Sequence, residues 1–149
     1  MKAVIQRVTE ASVTVAGQPV SSIGKGLMIL LGIQKGDTDE DRDYLLKKIP
    51  RLRIFDDENG VMNLDITQVG GEILLVSQFT LLANTRKGNR PSYIDAEDPE
   101  VATARYEEMA EALSEALGRP TQKGIFGADM QVQLVNDGPV TILIDSKNR

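Results

Sequence analysis

The chain contains neither cysteine nor histidine. Without them a thiolate nucleophile, a Ser-His-Asp triad, an imidazole general base and the usual zinc site all lack their atoms. Any catalysis is left to carboxylates, hydroxyls, lysine, backbone dipoles or the substrate itself. A long apolar run is missing too: the longest, Leu27 to Leu31, is far short of the ~20 residues of a membrane-spanning helix. The first residues lack the basic segment, apolar core and small-residue cleavage site of a signal peptide, so a cytoplasmic location and no membrane partner are expected. Positive charge is in deficit. Lys plus Arg number 17 against 22 Asp plus Glu, a formal net charge of -5, which excludes a bulk polyanion binder. No pair of acidic residues has a spacing that singles it out for acid/base work or for a metal, and no metal or cofactor is expected.

What is present is ordinary globular material, 41% hydrophobic and 26% charged, in 149 residues, which suits a single domain over 1–149 with a real core. Val4 to Val8 is mostly apolar and Ala11 to Val15 alternates, so the first fifteen residues read as extended, followed by a turn at Gly17-Gln18-Pro19. Gly26 to Gly32 reads as a central strand buried on both faces. Asp37-Thr38 caps a helix over 39–49 with acids in its first turn, Lys47 and Lys48 in its last, and Pro50 after it. Gly70-Gly71 opens a strand from Glu72 to Leu82. A second helix runs from Asp98-Pro99 to just before Gly118, with Ala102, Tyr106, Met109, Leu113 and Ala116 as its inner stripe. Met130, Val132 and Leu134 alternate with polar residues, and Val140 to Asp145 forms a last strand. The pattern predicts an α+β domain: two main helices and a curved, barrel-like, mainly antiparallel sheet.

Four stretches invite chemistry. Along Ser77-Gln78-Phe79-Thr80-Leu81, strand alternation puts Gln78 and Thr80 on one face and Ser77, Phe79 and Leu81 on the other. Thr80 lacks an adjacent base, so a structural hydrogen bond is expected of it rather than nucleophilic attack. Directly downstream, residues 84–92 (NTRKGNRPS) form a cationic loop holding Arg86, Lys87 and Arg90, either a solvated loop or a phosphate contact. The glycine-flanked Phe126, with Met130 after it, suits core packing or a flat slot for a nucleobase. Asn136-Asp137-Gly138-Pro139-Val140-Thr141 puts a residue with no N–H and one with no side chain between two strand-like runs, so it must be a turn, an edge or a special backbone feature.

Together SQFTL at 77–81, NTRKGNRPS at 84–92, GIFGADM at 124–130 and NDGPVT at 136–141 closely resemble the D-aminoacyl-tRNA deacylase family, and the opening MKAVIQRV and the chain length fit as well. The resemblance implies a homodimer that hydrolyses the ester between a D-amino acid and the terminal ribose of tRNA, and that also clears glycyl-tRNA. It implies that Gly138-Pro139 is a cis peptide whose carbonyls enter the partner's active site and exclude L side chains by collision, with Arg7 bracing that loop. It places Ser77, Gln78, Phe79 and Thr80 around the scissile ester, Ser77 supporting strand geometry. Backbone N–H groups there stabilise the oxyanion and the ribose 2′-hydroxyl assists the attacking water. Phe126 and Met130 then bind the terminal adenosine, and Arg86 and Lys87 the tRNA backbone. Two alternatives stay open: a non-catalytic RNA-end binder using Arg86, Lys87, Arg90 and Phe126, and a purely structural homodimer.

Overall fold

The structure, a computed structural model, describes residues 1–149. Its spine is a long strand, β1 (Lys2–Val15), whose alternating side chains let it serve two layers of core. Ala16 and Gly17, with φ of 49° and 76°, make the tight turn into β2 (Gln18–Ile23). The turn therefore lies one residue earlier than expected: Gln18 pairs with Val15, and Pro19 pairs with Thr14 at a register shift on an edge strand, where the missing N–H costs no ladder bond.

β3 (Gly26–Gly32) pairs antiparallel with the first half of β1. α1 (Asp39–Lys48) follows, its N-cap Thr38 closed by a capping box in which Asp41 Oδ2 accepts the Thr38 N–H at 2.8 Å. After a small hairpin of β4 (Phe55–Asp56) and β5 (Met62–Leu64) the chain enters β6 (Glu72–Ser77), which lies parallel to β3. α2 (Pro99–Leu117) then leads to the short β7 (Gln122–Lys123), parallel to β6, and β8 (Met130–Asp145) returns antiparallel along the whole of β1. The fold is thus α+β with two helices and a barrel-like sheet as expected, but the sheet is mixed. α1 and α2 each sit in a crossover between parallel strands, the connection that such pairing requires.

β3 and β6 are buried on both faces because they separate two apolar clusters. Leu27, Ile29, Leu31, Ile73 and Leu75 face the helices, packing with Ala102, Tyr106, Met109, Ala110 and Leu113 of α2. Met28, Leu74 and Val76 face the other way, against Val8, Ala11, Val13 and Ile23, where the far halves of β1 and β2 curl over. Ala116, expected on the inner stripe of α2, is exposed, while Ala110, six residues earlier, is buried. No helix is long and apolar enough to cross a membrane.

Two sequence expectations about strands fail together. The strand from Glu72 does not reach Leu82: it ends at Ser77, and Phe79–Leu82 is a 3₁₀ turn. The two runs around Asn136 are not separate strands but one, β8, because both pair with the same β1.

Candidate functional site

The NDGPVT segment is a bulge inside a continuous ladder. Val8 pairs with Asn136 and Gln6 with Thr141, so four residues of β8 stand opposite the single residue Arg7. Gly138 has φ 134°, outside the range L side chains adopt, and a Cβ there would meet Val140 Cγ2 at 2.8 Å. The Gly138-Pro139 peptide is cis. Asn136 spans the base of the bulge: its Oδ1 accepts the Val140 N–H at 3.0 Å, and its Nδ2 donates to Thr141 Oγ1 at 3.1 Å. Arg7, only 7% exposed, fixes the bulge to the body of the protein. Its Nε donates to the Asp137 carbonyl at 3.0 Å and its Nη1 to the Ile54 carbonyl at 2.7 Å, with the half-exposed carboxylate of Asp56 at 3.4 Å.

A second assembly forms where β6 ends. The Gln78 N–H extends the β6 ladder by donating to the Leu31 carbonyl at 2.8 Å, after which the chain turns. Phe79 and Thr80 open the 3₁₀ turn, so their N–H groups have no acceptor within it. Gln78 and Thr80 do meet, as expected, but through this turn rather than by strand alternation: Gln78 Nε2 donates to Thr80 Oγ1. Across from them lie Phe126 and Met130, and the space between is a cleft of about 260 Å³ lined also by Ser77 and Phe79.

Its walls are set from behind. Phe126 leans on the buried ring of Tyr106, with centroids 6.1 Å apart and planes at 51°. The Tyr106 hydroxyl donates to the Leu75 carbonyl at 2.6 Å, and the Gly124 N–H reaches the same carbonyl at 3.2 Å, so α2, β6 and the 124–130 loop share one anchor. Burial, with the neighbouring Glu107 carboxylate, raises the Tyr106 pKa, keeping the hydroxyl protonated as that donor. Gly124 lets Met130 pack closely, since a Cβ there would lie 2.5 Å from Met130 Sδ and push that side chain aside. Of the lining side chains none is titratable. Any charge developing in the cleft must be met by backbone dipoles or by the ligand.

The candidates named from the sequence fall into three groups. Ser77, Gln78, Phe79, Phe126 and Met130 line the cleft, and Thr80 joins them through its hydrogen bond with Gln78. Arg7, Gly138 and Pro139 come together at the bulge, whose Gly138 lies eight residues from Met130 along β8, about 26 Å at ~3.3 Å per residue. Arg86 and Lys87 are in neither. They project from an exposed loop closed by the paired Asn84 and Ser92, and Arg86 borders a separate depression with Lys2 and Gln34. Sequence reasoning took Tyr106 only as core and gave no part to Tyr93, which packs edge-on against Phe79 with centroids 5.1 Å apart. An aromatic directly after a cationic loop was the available signal.

The profile of the D-Tyr-tRNA(Tyr) deacylase family matches residues 4–145. A protein of Parabacteroides distasonis named D-aminoacyl-tRNA deacylase is 58% identical over 149 residues, covering 100% of this chain and 99% of its own. One of the same name from Bacteroides thetaiotaomicron is 60% identical with the same coverage, 100% and 99%. Among solved structures, one described as a c-Myc DNA unwinding element binding protein is 44% identical with a TM-score of 0.91, covering 97% of this chain and 98% of that one. Another, described as a probable eukaryotic D-amino acid tRNA deacylase, shares the fold at a TM-score of 0.82 and 16% identity, over 96% and 97% of the two chains. With the profile spanning nearly the whole length and relatives identical at more than half of their positions, this chain belongs to the D-Tyr-tRNA(Tyr) deacylase family.

Proposed function

We propose that this protein hydrolyses the ester linking a D-amino acid to the 3′ end of tRNA. The observation that carries this, beside family membership, is a cleft bordered by unpaired backbone donors and an aromatic–thioether wall, with no titratable side chain among its lining residues. Phe126 and Met130 hold the terminal adenosine. The Phe79 and Thr80 N–H groups receive the oxyanion formed as water adds to the ester carbonyl. The ribose 2′-hydroxyl assists the attacking water, a role that no side chain here is equipped to fill. Thr80 positions Gln78 and stays outside the covalent chemistry. Ser77 ends the strand that holds this turn in place.

Chirality is read by the Gly138-Pro139 bulge of a second copy. About 26 Å along β8 is too far for the bulge to serve its own cleft. In favour of a homodimer is the edge of β8: this 16-residue strand pairs only with β1 and exposes Val135 (47%) and Leu143 (74%), an edge that a soluble protein covers or blunts. In the partner's cleft the bulge leaves room for a D side chain and collides with an L side chain. Selectivity by collision also admits glycine, which has no side chain to reject, and so glycyl-tRNA is a second substrate. Arg86 and Lys87 contact tRNA phosphates outside the cleft.

The test is a time course of deacylation of matched D- and L-tyrosyl-tRNA by chelator-treated protein against a no-enzyme control. Loss of the D-ester alone is expected. Loss of neither, with saturable binding of aminoacyl-tRNA, would replace the hydrolase with an RNA-end binder.

A further inference from the structure

Beside the cleft the chain exposes an apolar group that the core does not cover. Phe79 is 56% exposed, Tyr93 38% and Ile94 72%. The two rings meet edge to face at 5.1 Å and 70°, so each props the other while remaining open to solvent. Both are held at the backbone. Phe79 sits in the 3₁₀ turn, and Tyr93 directly follows the Asn84–Ser92 closure, with its own carbonyl accepting the Ala96 N–H at 3.0 Å. The group continues the cleft wall, because Phe79 belongs to both.

Its charge environment names the occupant. Between Glu72 and Asp95 there is no acidic residue, while Arg86, Lys87 and Arg90 fall in the loop that Tyr93 closes; the chain as a whole is at -5. Exposed rings beside a local cationic strip, on a protein otherwise negative, suit unpaired nucleotides: bases stack on the rings and phosphates meet the cations. A protein partner covering the same apolar group would have no need of an acid-free stretch spanning residues 73–94.

We infer that Tyr93, propped by Phe79, is a stacking platform for the unpaired nucleotide preceding the aminoacylated terminal adenosine, with the 84–92 loop holding its phosphates. This rests on the proposed deacylase function for the identity of the RNA, and it extends the site from one nucleotide to two or more. Tyr93 is thereby a binding residue for the tRNA end and has no part in the chemistry at the ester.

The experiment compares wild type, Tyr93→Ala and Tyr93→Phe in two assays. In the first, binding of a labelled ACCA tetranucleotide is followed by anisotropy. Tyr93→Ala is expected to weaken it about 5- to 150-fold, the range for losing one base–aromatic stack, and Tyr93→Phe to preserve it. In the second, Tyr93→Ala raises KM for D-tyrosyl-tRNA by a similar factor, and the loss on D-tyrosyl-adenosine, which has no second nucleotide, is several-fold smaller than the loss on tRNA. Unchanged ACCA affinity in Tyr93→Ala overturns the platform, whether or not sedimentation then shows a shift in oligomeric state. An equal loss on tRNA and on the adenosine ester overturns it as well. Should wild type hydrolyse neither ester, the deacylase function fails, and the ACCA measurement still decides the platform by itself.

Discussion

Replacing Arg7 by methionine keeps the aliphatic stem and removes every donor that holds the bulge. Two carbonyls then lose their partner: Ile54 O, bonded at 2.7 Å in a buried position, and Asp137 O, bonded at 3.0 Å. Hydrogen bonds from a charged donor contribute about 1.5–3 kcal/mol each. The nearby carboxylates of Asp56 and Asp137 are 52% and 47% exposed and add only a few tenths of a kcal/mol after solvent screening. The sum is about 3–6 kcal/mol. In a chain of this size each kcal/mol moves Tm by about 2–4 °C, so Arg7→Met lowers Tm by about 6–24 °C in a melt followed by far-ultraviolet circular dichroism. Arg7→Lys, whose single ammonium cannot reach both carbonyls with the geometry of a guanidinium, recovers no more than about half of that. Below both melting temperatures the variants lose discrimination between D- and L-tyrosyl-tRNA before they lose turnover of the D-ester, because the bulge is loosened while the cleft, about 26 Å away along β8, is intact. A Tm within about 3 °C of wild type, or lysine equal to arginine, would refute this account of the bulge.

Thr80→Ala removes the acceptor of the Gln78 amide and should lower kcat about tenfold or less, as a supporting hydrogen bond of about 0.5–1.5 kcal/mol requires; a near-complete loss in single-turnover kinetics would make the hydroxyl a nucleophile after all. Arg86→Ala should weaken tRNA binding and reduce the slope of log affinity against log salt by about one, with no change in that slope removing the loop from the RNA contact. Asp41 governs acid stability. Burial pushes its carboxyl upward most strongly, but hydrogen bonds from Lys147, the Thr38 N–H and Ser146, with the nearby Met1 ammonium, outweigh it and hold the group well below the usual aspartate range. Its folded-state pKa is thus lower than its unfolded value of about 3.9, so its contribution is complete above roughly pH 4 and is lost as pH falls below that. Urea titrations between pH 6 and pH 2.5 should show this slope in wild type and a shallower one in Asp41→Asn; parallel slopes would contradict it.

Both helices were legible because their signals are local. Thr38 and Asp41 form a capping box within four residues, and Asp98-Pro99 and Gly118 mark α2 without help from the rest of the chain. The inner stripe of α2 was legible except at its end, where Ala116 is exposed beside Leu46 and Pro50 and Leu117 packs against the core instead. β3 was recognisable as doubly buried from its unbroken apolar run. Less could be read where pairing decides the backbone. Nothing near Ser77 announces that the ladder stops there, since Ser-Gln-Phe-Thr-Leu alternates as well as any strand. The turn at Gln78 forms because β3 itself ends at Gly32 and offers no further partner.

The sequence by itself determined the exclusion of histidine and cysteine chemistry, the α+β class and, through motif resemblance, the family. These depend on which atoms exist and on short-range order. Tertiary structure alone decided that the Gly138-Pro139 segment is a bulge in one strand rather than a turn between two, that Arg7 ties it to Ile54, and that Phe126 rests on Tyr106 across from Phe79. Each joins residues between 20 and more than 100 positions apart, brought together by the register of β8 on β1 and by the burial of α2 on the sheet. Such contacts arise from closing the core as a whole, which no local propensity encodes.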